Sequence, residues 1–329
     1  MAPLRPLFLS LLLWSACALV LVCALRFGTA QISAEVLLRG DTGLLTGRTF
    51  RALCAMAVGA ALAVSGLMLQ SLTGNPLADP GITGINAGAA LMAVATAQFL
   101  PQASASLVIA SAIAGAGLAG VVLWLLAGGD AGLGNDGIAL RLPLAGLAIQ
   151  ALCLSLALML ILTDAESQAR YLRWISGAIP PVPRGETVPL MVIGAALVAG
   201  LFVCERLSLL TLGADQSHSL GRDPRVTISL VLGLVTVLSG ASVAIVGPIA
   251  FLGLLVPFAA RGLAGPDLRQ AYGYCIPLGA AVLMASDVAG RVIARPGEID
   301  AGLIVAMFGG VGLVVLLTRL LPRTARARA

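Results

Sequence analysis

The chain has 329 residues, of which 59% are hydrophobic and 11% charged, and its mean hydropathy is +1.02. Soluble domains carry about 25% charged residues, so this composition excludes a water-soluble globular protein and points to a polytopic membrane protein. All 20 basic residues are Arg, and a chain without Lys cannot build the loop whose Lys holds the β/γ-phosphates, so any ATP dependence must come from a partner.

Crossing a bilayer as a helix takes roughly 17–25 apolar residues. About ten such runs follow one another, near 7–27, 52–72, 82–100, 104–127, 142–163, 188–204, 227–246, 248–263, 271–294 and 301–321. They show no sustained period-2 alternation, which favours helices over a barrel. The expected fold is all-α, a single transmembrane bundle over residues 1–329. The first run follows Arg5 and exceeds the usual signal-peptide core of about 7–15 residues, so it reads as a retained span. Cys17, Cys23, Cys54, Cys153, Cys204 and Cys275 sit in or beside apolar runs without C-x-x-C spacing, which suits packing better than metal ligation or disulfides. An even number of spans puts both termini on one side, and Arg5, Arg319, Arg323, Arg326 and Arg328 assign that side to the cytoplasm. The same topology leaves Arg39, Arg48, Arg51, Arg170, Arg173, Arg184, Arg291 and Arg295 at or near the outer face, where they need another role.

The interruption after the second run reads LTGNPLADPGITG, Leu72 to Gly84. Proline keeps the preceding residue out of helical geometry, so Asn75 and Asp79 should lie off-helix and the second helix should end near Leu72 to Gly74. Asp79 makes a good N-cap with Pro80 at the first helical position, where the third helix should start. A plain turn explains part of this; Gly81, Gly84 and Gly88 add a face for close helix approach. In the outer segment Thr163 to Pro189, Tyr171 and Trp174 amid charges suit an interfacial helix. The stretch Glu205 to Arg225 is too polar to span. Its Gly213, Asp215, Gly221 and Asp223-Pro224 read as turn and cap signals around two short helical pieces, roughly 206–212 and 214–220, forming either a connector or a docking element. The four spans directly before the outer segment and the four after this loop are candidates for inverted repeats, as many transporters have, with only faint sequence similarity between them.

The block GAALAVSGLMLQSLTGNPLADPGITGINAGAAL resembles the signature of the FecCD family of ATP-binding cassette importer permeases, which move ferric siderophores, haem or cobalamin across the bacterial inner membrane. Arg48-Thr-Phe-Arg51 is similar to the family's R-x-P-R, TLGADQSHSLG to its cytoplasmic coupling segment, and Val243 to Arg269 and Ser286 to Gly302 to its C-terminal blocks. Phe258, Asp300 and Val311-Gly312-Leu313 depart from the family pattern. The resemblance implies a homodimer with the path between its subunits, two ATPase subunits beneath, and a periplasmic or lipid-anchored substrate-binding protein above. It further implies a cytoplasmic gate at Asn75, Pro76 and Leu77, and an ATPase coupling loop with Leu212, Gly213, Ala214, Asp215, Ser219, Leu220 and Gly221. Arg48, Arg51 and Arg291 take the positions that meet acidic residues of the binding protein. The cargo is a metal chelate, and no cofactor or resident metal is implied.

Enzyme chemistry has little to use, since the lone His218 lies in the polar loop without a partner motif. Asp287 is an acid well inside a span, and such acids are functional candidates. Arg291 is four residues on and shares its helical face, so a structural ion pair competes with a proton relay. A proton-coupled secondary transporter using Asp287 is therefore the alternative to the importer permease.

Overall fold

A computed structural model describes residues 4–28, 42–128, 135–162, 168, 171–172, 174–183, 185–211, 219 and 222–325. Among them are ten α-helices: α1 Leu4–Arg26, α2 Thr42–Thr73, α3 Ile85–Phe99, α4 Ala105–Ala127, α5 Asn135–Ile161, α6 Thr187–Leu210, α7 Pro224–Val246, α8 Leu252–Ala264, α9 Leu268–Ile293 and α10 Ala301–Ala325. Seven are long and apolar enough to cross a membrane, and α3, α8 and the described part of α10 are shorter apolar helices. The chain is an all-helical, multi-pass membrane protein.

Side-chain caps fix several helix starts. Ser104 accepts from Leu107 N before α4, Asp223 from Arg225 N before α7, and Asp267 from Arg269 N and Gln270 N before α9. Pro224 then occupies the first turn of α7, where its missing N–H costs nothing. Two boundaries differ from the sequence expectation. A 3-10 turn, Pro80–Thr83, precedes α3, which begins only at Ile85. The helical piece expected from 206 is the end of α6 itself, which runs unbroken through Glu205 and Arg206 to Leu210, with Leu207 and Leu210 buried.

Burial orders the bundle. The spans of α2 and α7 are 83% and 72% buried, whereas that of α1 is 11% buried, so α2 and α7 form the centre and α1 lies on the periphery. Glycines let the central helices touch through backbone: Gly59 of α2 meets Gly279 of α9, Gly66 of α2 meets Gly253 of α8, and Gly88 of α3 meets Gly115 of α4. Without a hydrophobic force between helices in lipid, such close contact is what holds them together. Two ends can be told apart. The near end gathers the start of α1, the last turns of α2, α6 and α8 and the start of α9. The far end gathers the last turn of α1, the Arg48–Arg51 turn of α2 and the last turn of α9.

Candidate functional site

Two interruptions in the helices meet inside the bundle. In the first, α2 stops at Thr73, Gly74 takes φ 63°, and Asn75 Oδ1 accepts from Leu77 N at 2.9 Å. Asp79 Oδ1 then accepts from Gly81 N at 2.6 Å, Thr83 donates to Pro80 O at 2.6 Å, and Gly84 turns the chain into α3 at φ 77°. That left-handed geometry requires Gly, and a Cβ there would also press on Ile149 and the Gly146 carbonyl of α5. The second interruption, residues 247–251, ends with Phe251 at φ 65° as the N-cap of α8. A Cβ on Gly253 would lie 2.8 Å from Pro80, 3.0 Å from Asp79 Oδ2 and 3.0 Å from Leu62 O, so the two interruptions touch. Leu62 is roughly 16 Å of helix rise back from Thr73. The first segment therefore folds back to mid-depth, and α3 and α8 are half-helices that begin there.

A cavity of about 640 Å³ opens between these half-helices and α5. Leu77, Ile82, Ala250, Phe251 and Leu313 give it a mainly apolar wall, with Asp79, Asn86 and Gln150 as polar spots whose Oδ2, Oδ1 and Oε1 have no hydrogen-bond partner among the described residues. Burial pushes the Tyr171 phenol at its rim up from its ordinary range, so it stays neutral. Of Asn75, Pro76 and Leu77, Leu77 lines this cavity and is 37% exposed, while Asn75 and Pro76 belong to the first interruption without lining it. Leu313 explains one departure from the family pattern, since it reaches this wall, and Gly312 packs against Leu255. Asp300 accepts a short hydrogen bond from Ser176, tying the start of α10 to the segment before α6. Phe258 is 41% exposed on α8.

At the near end a cleft of about 450 Å³ lies between the last turns of α2 and α6 and the α8–α9 turn. Its wall includes Gln70, Thr211, Arg261 and Asp267. Arg261 Nη2 donates to Ser71 Oγ at 2.8 Å and Leu67 O at 3.3 Å, crossing from α8 to α2. Of the coupling loop expected from the sequence, Leu212, Gly213, Ala214, Asp215, Leu220 and Gly221 lie outside the described residues, and Ser219 is exposed.

The far end is a charge cluster. Arg51 pairs with Asp287 Oδ1 at 2.8 Å and Glu298 Oε2 at 2.9 Å, and Arg291 pairs with Asp287 Oδ2 at 2.8 Å. The Asp287–Arg291 ion pair expected from their i, i+4 spacing is present, extended by Arg51. Arg291 Nη1 also donates to Phe27 O at 3.0 Å, Arg48 Nη1 to Leu25 O at 3.0 Å, and Arg295 Nη2 to Gly28 O at 2.6 Å. Three cations thus serve the carbonyls left open at the end of α1, where the helix dipole favours positive charge. The side chains of Arg51 and Arg291 are only 11% and 5% exposed, so they are placed to hold helices rather than to offer charge outward. Arg48 is half-buried and Arg295 exposed. Sequence reading gave no role to Gln70, Gln150, Arg261 or Glu298. For Gln70 a signal was present: Pro257 removes an N–H from α8 and leaves a carbonyl that needs an outside donor.

Residues 15–319 match the model of the FecCD transport family. The chain is 36% identical over 312 residues to the ferric enterobactin transport system permease protein FepD of Escherichia coli (strain K12), with 90% of each chain covered. It is 36% identical over 265 residues to the probable siderophore transport system permease protein YfiZ of Bacillus subtilis (strain 168), covering 79% of this chain and 77% of that one. Its fold matches that of a solved structure described as an inward-facing conformation of a putative metal-chelate type ABC transporter, with a TM-score of 0.80 at 23% identity, over 94% of this chain and 99% of that one. With its two interruptions, its half-helices and a family match over nearly its whole length, the chain belongs to the FecCD transport family.

Proposed function

We propose that the chain is the permease subunit of an ATP-binding cassette importer carrying a ferric chelate. In this reading it acts as a homodimer in the bacterial inner membrane, with ATPase subunits at the near, cytoplasmic end and a substrate-binding protein at the far end. The named relatives are permeases for siderophore and enterobactin transport, and no bond chemistry is asked of this chain. The observation that carries the reading is the cavity between two half-helices at mid-depth, which is the usual place for a transported ligand. Its mainly apolar wall suits passage, because a path must hold cargo weakly enough to release it.

ATP binding draws the ATPase subunits together, and the loop 212–221 passes that motion to α6 and α7. Asn75, Pro76 and Leu77 form the cytoplasmic gate: the Asx turn and two prolines keep the segment in one shape, so it moves with its helices rather than bending. A second copy across the dimer axis brings Asn75 and Leu77 to their mates and completes the path. At the far end Arg48 meets acidic groups of the binding protein, while Arg51 and Arg291 fix the ends of α2 and α9 behind it. Proton coupling through Asp287 is disfavoured because two guanidinium groups engage it far from the cavity.

The test is 55Fe uptake into proteoliposomes, with ferrioxamine B, ferric enterobactin and ferric dicitrate as probes and the neighbouring ATPase and binding-protein genes supplied. Uptake of at least one probe should require both ATP and the binding protein. Uptake by the permease alone, following a proton gradient, would overturn the importer reading in favour of the secondary transporter.

A further inference from the structure

Pro257 lies inside α8 and has no N–H, so the carbonyl of Gly253, four residues earlier, loses its helical partner. The gap is filled from another helix. Gln70, 2% exposed on α2, points Nε2 at Gly253 O at 3.4 Å and Leu254 O at 3.2 Å. The same Gly253 touches Gly66 of α2 on one side and the Asp79–Pro80 turn of the gate segment on the other. Gln70 also stands in the wall of the near-end cleft, where α6 ends and the coupling loop begins. One side chain thus reaches from that cleft to the start of the half-helix against which the gate segment rests.

We infer that Gln70 is a positioning residue of transport: by supplying the hydrogen bond that Pro257 withholds from α8, it makes α2, α8 and the Asp79–Pro80 turn move as one body. This rests on the proposed permease function and adds to it a route from the ATPase side to the gate. The proline matters as much as the glutamine. A helix with its full set of N–H groups would satisfy Gly253 internally and have no need of α2, whereas this one completes its bonding only while docked. Arg261, crossing back from α8 to Ser71 and Leu67, closes the other end of the contact.

The experiment uses the permease dimer assembled with its ATPase. Leu77→Cys reports gate closure through crosslinking between the two copies, and the readout is the ratio of crosslinking without nucleotide to that with ATP and vanadate. Gln70→Leu should bring this ratio about fivefold closer to one, the effect of losing one net hydrogen bond of ordinary strength. Pro257→Ala returns an N–H to α8, which then satisfies Gly253 O without α2, so Pro257→Ala alone should also bring the ratio closer to one and in the Gln70→Leu background should add little. An unaltered ratio in Gln70→Leu, or a ratio restored in that background by Pro257→Ala, overturns the inference and leaves the permease reading intact. A fall in basal ATPase rate that matches the fall in the ratio overturns it too, because the defect would then be one of general folding. A ratio of one in the parent dimer overturns both, since no gate motion would exist for Gln70 to carry.

Discussion

At the far end the last turn of α1 gives its carbonyls to Arg48, Arg291 and Arg295, and Asp287 holds two guanidinium groups at once. In the middle of the bundle irregular backbone is held with almost no charge: two interruptions rest on glycine contacts, one amide side chain and the carboxylate of Asp79. With the gate placed as proposed, the contrast follows from what each region must do. Charges in a low-dielectric setting fix geometry strongly but tolerate no missing partner. Glycine contacts are weaker singly and leave a surface able to slide. A region that anchors suits the first, and a region that opens and closes suits the second.

The comparison can be broken at its stiff side first. Asp287→Leu removes the acid shared by Arg51 and Arg291, leaving Arg51 only Glu298 and Arg291 only backbone carbonyls, and should cost about 3–5 kcal/mol, the range for breaking a buried pair. Thermal unfolding of the detergent-purified protein should show the largest loss of this series, and a value like that of a surface substitution would mean that the cluster is solvated.

On the other side, Gly66→Leu drives a side chain into the Gly253 carbonyl and should cost about 2–3 kcal/mol, as overpacking does. The same unfolding assay checks the stability, and exchange of the Leu254 and Leu255 amides with deuterium should rise as α8 lifts from α2. If Gly66→Leu cost more than Asp287→Leu, the ranking of charge above contact would be reversed.

The smallest change is Asp79→Ala, which removes a cap and should cost about 1 kcal/mol. Asp79→Asn keeps an oxygen for Gly81 N and should recover most of it. Recovery by Asn would locate the role of Asp79 in local capping, and failure to recover would locate it in the charge facing α8.

Much of the architecture was legible because it depends on local chemistry. The roughly ten apolar runs correspond to the ten α-helices among the described residues, and Asp79-Pro80 caps a turn because proline and a short acceptor allow little else. Asp287 and Arg291 were readable as a pair from their spacing along one helix. Arg51 was not, since its partners lie 236 and 247 residues away and nothing local distinguishes a buried arginine from a surface one. The 3-10 turn before α3 escaped notice because Gly81 and Gly84 are compatible with continued helix, and the break lies in the left-handed geometry of Gly84, which is packed too closely on α5 to carry a side chain. The reach of α6 to Leu210 was missed for the opposite reason, since Glu205 and Arg206 look like a loop when apolarity alone marks a span.

The arginine grip on α1 has a consequence for the order in which the protein can be built. The first helix leaves the ribosome long before Arg291 and Arg295, which lie 267 residues beyond the carbonyls they bind. Until α9 has been inserted, the end of α1 can be held by Arg48 at most, and its span is only 11% covered even in the finished bundle. Biogenesis therefore leaves the first helix standing in lipid while eight more are threaded past it, and closes the ring between first and ninth only near the end of synthesis. A chain cut short before Arg291 would carry a loose first helix, an exposed feature by which membrane quality control could tell an unfinished copy from a complete one.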